Sequence, residues 1–111
     1  MSLSVRREPS GVVVVAVDGQ LIVGNRQELK QKILDALEAG DRKYLIDFTH
    51  TGYIDSSGLG VLVSLSKKIR DQGGDLRLAG LNEDLKTLFE LTKLDTLFAI
   101  SDSPEEALTA F

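Results

Sequence analysis

The sequence predicts an α/β fold: a mixed sheet of about five strands, with an antiparallel hairpin at its N-terminal edge, and four helices. Short apolar runs typical of strands alternate along the chain with longer segments whose apolar residues recur at helical spacing. Strands that are separated by helices pair in parallel through right-handed crossovers. Because only a turn separates the first two strands, this pair alone is expected to be antiparallel.

The strand predictions rest on short apolar runs. Leu3 and Val5 alternate with polar residues and predict a half-exposed edge strand. Residues 8–11 (Glu-Pro-Ser-Gly) fit a turn, and the six apolar residues 12–17 that follow predict a strand buried on both faces. Three further strands are predicted, at 44–48, at 76–78 and at 97–100.

Each helix is predicted from a capping residue at its start. Asn25 with Glu28 three residues later resembles a capping arrangement, and Gly40 is a natural stop for that first helix. The other predicted helix starts are Asp55-Ser56, Asn82 and Ser103-Pro104. The second helix is expected to end at Gly73-Gly74, and the last to run to the C-terminus.

Length and charge limit the function classes. The chain of 111 residues is long enough for one domain, expected to span 1–111, and it contains no cysteine for a disulfide scaffold or a thiol catalyst. Its net charge of −4 argues against a dedicated nucleic-acid binder. No apolar run approaches the ~20 residues that insertion into a membrane requires, and no signal-peptide layout is present, so a cytoplasmic protein is expected.

The acidic surplus lies entirely near the C-terminus. The last seventeen residues contain four acidic side chains and no basic one, namely Asp95, Asp102, Glu105 and Glu106. Acidic residues in the first turn of a solvated terminal helix interact favourably with its dipole. An acidic docking tail is the alternative interpretation.

No catalytic, metal or cofactor site is predicted. The single histidine, His50, lies between Asp47 and Ser56, but no Gly-x-Ser-x-Gly nucleophile elbow accompanies it. Neither a phosphate-binding loop nor a complete dinucleotide fingerprint occurs. A phospho-accepting receiver domain would need an acidic neighbour beside Asp18 and a lysine late in the sheet, and both are missing. We therefore expect a protein that is not an enzyme.

The most distinctive segment is Tyr-Ile-Asp-Ser-Ser-Gly-Leu-Gly-Val-Leu at 53–62. Aspartate or serine at a helix start is ordinary capping. However, Gly58 and Gly60 both fall in the first turns, where each glycine costs ~1 kcal/mol relative to alanine. Small residues there allow another molecule's backbone to approach closely. The segment also follows a strand, at the sheet edge where open α/β folds usually bind ligands.

Residues 54–61 resemble the corresponding stretch of STAS domains, the fold of sulfate transporter tails and anti-sigma factor antagonists. The resemblance covers nearly the whole chain, although the Asp-Ser-Ser-Gly-Leu-Gly stretch is its most specific part. The supporting segments are the opening hairpin, Gly19-Gln20-Leu21, Leu29-Lys30-Gln31-Lys32, Gly73-Gly74-Asp75-Leu76 and Leu85-Lys86-Thr87-Leu88-Phe89.

The resemblance implies a partner-switching role. An unmodified antagonist of this kind binds an anti-sigma factor, itself a serine kinase, and so frees a sigma factor. The kinase then phosphorylates the serine that directly follows the aspartate, which is Ser56 here, and a PP2C-type phosphatase restores the binding form. The partner-binding residues implied by the resemblance are Asp55, Ser57, Gly58, Leu59, Gly60, Gln20, Ile22 and Asn25.

One difference from the family pattern favours a second hypothesis. Antagonists usually carry Gly-Glu-Leu-Asp where this chain has Gly-Gln-Leu-Ile at 19–22, so two acidic side chains near the modifiable serine are absent. The absence of these acidic side chains favours an alternative function, in which the protein is a non-phosphorylated STAS subunit of a membrane lipid-transport ATPase complex.

Overall fold

The computed structural model describes residues 2–111 as a six-stranded mixed sheet with helices on both faces. The elements in chain order are β1 Ser2–Arg7, β2 Val12–Leu21, α1 Arg26–Glu38, β3 Lys43–Asp47, β4 Thr51–Ile54, α2 Ser56–Asp71, β5 Asp75–Ala79, α3 Glu83–Leu91, β6 Ala99–Ser101 and α4 Pro104–Thr109. A short 3₁₀ turn, Leu94–Thr96, connects α3 to β6.

The sheet has the predicted mixed topology. Its strand order is β1-β2-β3-β5-β6. The sixth strand, β4, pairs with residues 19–21 at the end of β2, which extend past the residues of β2 that pair with β3. The β1–β2 hairpin is antiparallel, with Val5 opposite Val15, and all other pairs are parallel. The predicted α/β class, edge hairpin and four helices are therefore confirmed.

The valine run in β2 separates two cores. Val13, Val15 and Val17 point into the larger core, which α1, α2 and α3 cover on one face of the sheet. Val12 and Val14 belong to a smaller core on the opposite face, where Ala107 of α4 packs. All five valines are at most 1% exposed, which confirms a strand buried on both faces.

The sheet differs from the sequence prediction in one important respect. β2 does not end near Asp18 but continues to Leu21, and there it pairs with β4, a sixth strand that was not predicted. Gly19 has a positive φ of 108°, and the pairing register shifts between Gly19 and Gln20. This irregularity redirects the end of β2 from β3 to β4. The last strand also lies one to two residues later than predicted.

Among residues 2–111, no helix combines the length and the apolar character that crossing a membrane would require.

Candidate functional site

The distinctive glycine-containing segment begins α2 at the carboxyl ends of two parallel strands. Leu21, the last residue of β2, is paired with Ile54, the last residue of β4. The segments that follow these two residues therefore lie side by side. One is the loop 22–25, which leads into α1, and the other is Asp55 with the first turn of α2. We call the two segments together the α2 entrance.

Asp55 organises the α2 entrance through three hydrogen bonds. Its Oδ1 atom accepts from the backbone N–H of Gly58 at 2.8 Å and from the Ser57 hydroxyl at 2.6 Å. Its Oδ2 atom accepts from the backbone N–H of Val23 at 3.1 Å. The Ser57 hydroxyl, followed by the Gly58 amide, stabilises the anion and lowers the pKa of Asp55. Asp55 therefore caps α2 as predicted, and it also holds the neighbouring loop.

Asn25 stabilises the loop 22–25 rather than capping α1 through its side chain. Its Oδ1 atom accepts from the N–H of Ile22 and its Nδ2 atom donates to the carbonyl oxygen of Gln20, both at 2.9 Å. No side-chain cap to α1 forms, so the predicted capping arrangement with Glu28 is wrong. The backbone of Asn25 has ψ −2°, outside the extended conformation that aims an N-cap side chain into the helix.

The two serines at the start of α2 differ in their surroundings. Ser56 is exposed, and its hydroxyl makes no side-chain hydrogen bond to any residue in 2–111. Ser57 is only partly exposed and donates its hydroxyl to Asp55. A modifying enzyme can thus reach Ser56 without breaking an internal contact, whereas modification of Ser57 would break one.

Gly58 and Gly60, the two glycines of α2, also differ in their surroundings. A Cβ atom on Gly58 would lie 2.6 Å from the carbonyl oxygen of Leu21 and 2.9 Å from Cγ2 of Ile54. The close approach of α2 to β2 therefore requires this glycine. A Cβ atom on Gly60 would meet nothing within 4 Å. No contact within the folded chain therefore requires glycine at position 60.

The implied partner-binding residues are brought together, but they are not equally accessible. Gly58 is buried and Leu59 is a core residue with 8% exposure, so neither presents much surface of its own to solvent. Gln20 is exposed, and Ile22 and Asn25 are partly buried beside α2.

Two exposed apolar residues lie beside this site, one of which, Val63, the helical spacing of α2 had predicted to be buried. Val23 lies in the loop 22–25 with 65% exposure, and Val63 lies on α2 with 36% exposure. Gly60 and Val63 follow Ser56 at positions i+4 and i+7, so the three residues share one solvent-facing stripe of the helix. This spacing was visible in the sequence, but the exposure of the stripe was not.

The side chain of His50 makes no hydrogen bond to any of residues 2–111. It is exposed in the turn between β3 and β4, and the Asp47 carboxylate instead accepts from the backbone N–H and the hydroxyl of Thr49. Within residues 2–111, no three or more histidine, aspartate or glutamate side chains are grouped so that they could hold a metal ion.

The chain is similar to known proteins over nearly its whole length. The family model described as STAS domain matches residues 4–107. The anti-sigma-B factor antagonist of Bacillus subtilis (strain 168) is 34% identical over 93 residues, which cover 84% of each chain. A crystal structure of an anti-sigma factor antagonist from Mycobacterium paratuberculosis matches with a TM-score of 0.87 and 25% identity, over 98% of this chain and 92% of that one.

The fold is also that of the Bacillus cell fate determinant SpoIIAA, whose structure was solved in the phosphorylated form. The TM-score is 0.78 over 98% of both chains, with 19% identity. The relatives and structural neighbours described here include several anti-sigma factor antagonists. Since the family model spans nearly all of the described residues, and the α2 entrance has the expected aspartate, serines and glycines in place, the chain belongs to the STAS domain family.

Proposed function

We propose that this protein is an anti-sigma factor antagonist that is not itself an enzyme and is switched by phosphorylation at Ser56. The α2 entrance binds an anti-sigma factor that is also a serine kinase. Phosphorylation of Ser56 releases this partner, and a PP2C-type phosphatase restores binding. The observation that carries the proposal is the contrast between Ser56, exposed and without an internal side-chain hydrogen bond, and Ser57, tied to Asp55.

The position of Ser56 suits a switch that leaves the fold unchanged. A phosphate adds about −1.5 to −2 charges, and the N-terminus of α2 tolerates them because the helix dipole is positive there. Against a packed partner, the same charges beside the Asp55 carboxylate cost several kcal/mol. A penalty of about 3 kcal/mol lowers affinity roughly a hundredfold. The switch is therefore a local electrostatic change.

Relatives and surface composition support the same proposal. The anti-sigma-B factor antagonist of Bacillus subtilis is similar over most of its length. Val23 and Val63 add exposed apolar area on either side of Ser56, and Gly60 leaves room for a close approach. A small apolar centre that contains one modifiable hydroxyl is well suited to binding that a phosphate can abolish.

The test is a kinase reaction with matched serine variants. The protein is incubated with its cognate anti-sigma kinase and ATP, and the phosphate is located by mass spectrometry. We expect phosphate on Ser56 in the wild type and in Ser57→Ala, and none in Ser56→Ala. Ser56→Asp should bind the kinase roughly a hundredfold more weakly, while the neutral variant Ser56→Asn retains most of the affinity. Phosphate on Ser57, or unchanged binding by Ser56→Asp, contradicts the proposal.

A second candidate function rests on the loop 22–25. Gln20 and Ile22 stand where antagonists usually carry acids, and Val23 is 65% exposed. This less acidic, partly apolar edge suits a constitutive STAS subunit of a membrane lipid-transport ATPase complex. Co-purification with such an ATPase that Ser56→Asp leaves unchanged would favour this function. Loss of the complex in Ser56→Asp would instead favour a phosphorylation switch.

A further inference from the structure

The parallel helices α1 and α2 form a groove on one face of the sheet. Two depressions follow each other along it, one near the helix starts and one near their ends. The first is lined by Arg26, Gln27, Lys30, Gly60, Val61 and Ser64. The second is lined by Leu34, Leu37, Glu38, Arg42, Lys68 and Gln72. We call the two depressions together the α1–α2 groove.

The α1–α2 groove is basic on an acidic protein. Four of its side chains are cationic and one, Glu38, is acidic, whereas the chain has a net charge of −4. The four cationic residues are Arg26, Lys30, Arg42 and Lys68.

These four side chains form no ion pair with any residue in 2–111. The guanidinium of Arg42 instead donates to the carbonyl oxygens of Leu37 and Asp41, which fixes its charge at the end of the groove. The basic side chains elsewhere include several that are neutralised locally, such as Arg7 by Asp41 and Lys67 by Asp71. Eight basic side chains within residues 2–111 form no ion pair, and four of these eight line the groove between the two helices.

The dimensions of the groove suit an extended peptide segment. From Arg26 to Glu38 it follows α1 for about 18 Å, given a rise of 1.5 Å per helical residue. An extended chain covers that distance with about five or six residues. Gly60 lies at one end of the groove, and no internal contact requires a glycine there. Its lack of a side chain widens the groove at that end.

We propose that the α1–α2 groove docks an extended acidic segment of a partner protein. Charge complementarity selects the occupant, because acidic side chains would pair with cations that have no partner within the fold. A nucleic acid is less suited, since its long phosphate backbone would extend past the groove onto a surface with an excess of acidic residues. The inference does not depend on modification of Ser56, so it can fail or succeed independently of the proposed function.

The experiment uses two double variants with equal changes in charge. Lys30→Gln with Lys68→Gln removes two lysines that line the groove, one on each helix. Lys32→Gln with Lys67→Gln removes two exposed lysines of the same helices that do not line it. The probe is a peptide of about six glutamates, titrated at low salt into the ¹⁵N-labelled protein and followed by NMR.

We expect the peptide to shift the amide signals of Gly60 and Ser64, with an affinity that falls as salt is added. The groove variant should bind about fivefold more weakly, and the control variant less than twofold, because exposed ion pairs contribute little individually. Equal weakening in both variants, or shifts confined to another face, overturns the proposal. Tighter binding of a hexathymidine oligonucleotide, or of phosphatidylserine vesicles, also overturns it in favour of that ligand.

Discussion

The carboxylate of Asp55 accepts a hydrogen bond of 3.1 Å from the backbone N–H of Val23, although the two residues are 32 positions apart. The same carboxylate caps α2 through Gly58. One side chain thus joins the helix start that carries Ser56 to the loop that carries the exposed Val23. The proposed partner surface is composite, and Asp55 is the residue that holds its two parts together.

Replacing Asp55 with alanine should loosen the loop as well as the helix. Ser103→Ala is the matched control, because the Ser103 hydroxyl caps α4 by accepting from the N–H of Glu106 and makes a purely local contact. We expect Ser103→Ala to lower the free energy of unfolding by about 1 kcal/mol. Asp55→Ala should lower it further, since it also loses the bonds from Ser57 and Val23. Urea unfolding measures both.

Amide hydrogen exchange separates the two roles of Asp55. Exchange at Val23 should become faster in Asp55→Ala and remain unchanged in Ser103→Ala, because only Asp55 bonds that amide. Unchanged exchange at Val23 in Asp55→Ala would show that other contacts hold the loop.

The stabilisation by Asp55 should depend on pH in the acidic range. Hydrogen bonds from the Ser57 hydroxyl and then the Gly58 amide lower the pKa of Asp55 in the folded state below 3.8. Its contribution is therefore present above that value and is lost as the pH falls through the folded pKa. The difference in stability between the wild type and Asp55→Asn should be larger at about pH 6 than at about pH 3. Urea unfolding at both pH values tests this, and a constant difference would contradict it.

Alanine substitution at the two glycines of α2 should have opposite effects. Gly58→Ala places a Cβ atom 2.6 Å from the Leu21 carbonyl oxygen and should cost about 1–3 kcal/mol. Gly60→Ala enters open space and should stabilise the protein by about 0.5–1 kcal/mol, because alanine favours the helix. Urea unfolding of the two variants measures both changes. Destabilisation by Gly60→Ala would show that an internal contact requires that glycine.

The Gly60→Ala variant also tests whether a partner protein contacts the backbone at position 60. If a partner approaches the backbone there, the variant should be more stable and yet bind the anti-sigma factor less tightly. Binding that is unchanged in this variant would place the partner elsewhere on the surface. Calorimetric titration with the purified partner measures the affinity.

Tyr44 should make the protein sensitive to alkali. Its ring is buried in the larger core, and its hydroxyl donates to the carbonyl oxygen of Asp41 at 2.7 Å. Burial, aided by the Asp41 carboxylate, raises the pKa of Tyr44 to about 12. The unfolded chain ionises near 10.0. The neutral phenol therefore stabilises the fold below about pH 10, and this contribution is lost as the pH rises towards 12.

Tyr44→Phe should cost about 1 kcal/mol at neutral pH, for the lost hydrogen bond, and should lose less stability than the wild type above about pH 10. Tyr53→Phe is the control, because that side chain is 55% exposed. In the Tyr53→Phe protein Tyr44 is the only tyrosine, so ultraviolet absorbance reports its ionisation directly. Ionisation of Tyr44 near its ordinary pKa in the folded protein would contradict the prediction.

Most features that depend on neighbours in sequence were predicted from the sequence, although the cap at Asn25 was not. Asn82 and Ser103 cap their helices by accepting from amides only three residues later, and Asp55 caps α2 in the same way. The six apolar residues at 12–17 predicted a strand buried on both faces because no polar residue interrupts them. The segment with Ser56, Gly58 and Gly60 was recognised from its composition and its resemblance to one family.

The assembly of the α2 entrance could not be predicted from the sequence. The pairing of β2 with β4 joins residues more than thirty positions apart, and the four residues Thr-Gly-Tyr-Ile of β4 have no apolar pattern that predicts a strand. The role of Asn25 in the loop and the contact that requires Gly58 both depend on that pairing. The helices, the buried strand and the candidate serine could be predicted because they follow from local caps, periodicity and a short motif. The exposure of Ser56 and the empty space around Gly60 became visible only in the folded protein, because accessibility depends on residues that are distant in the chain.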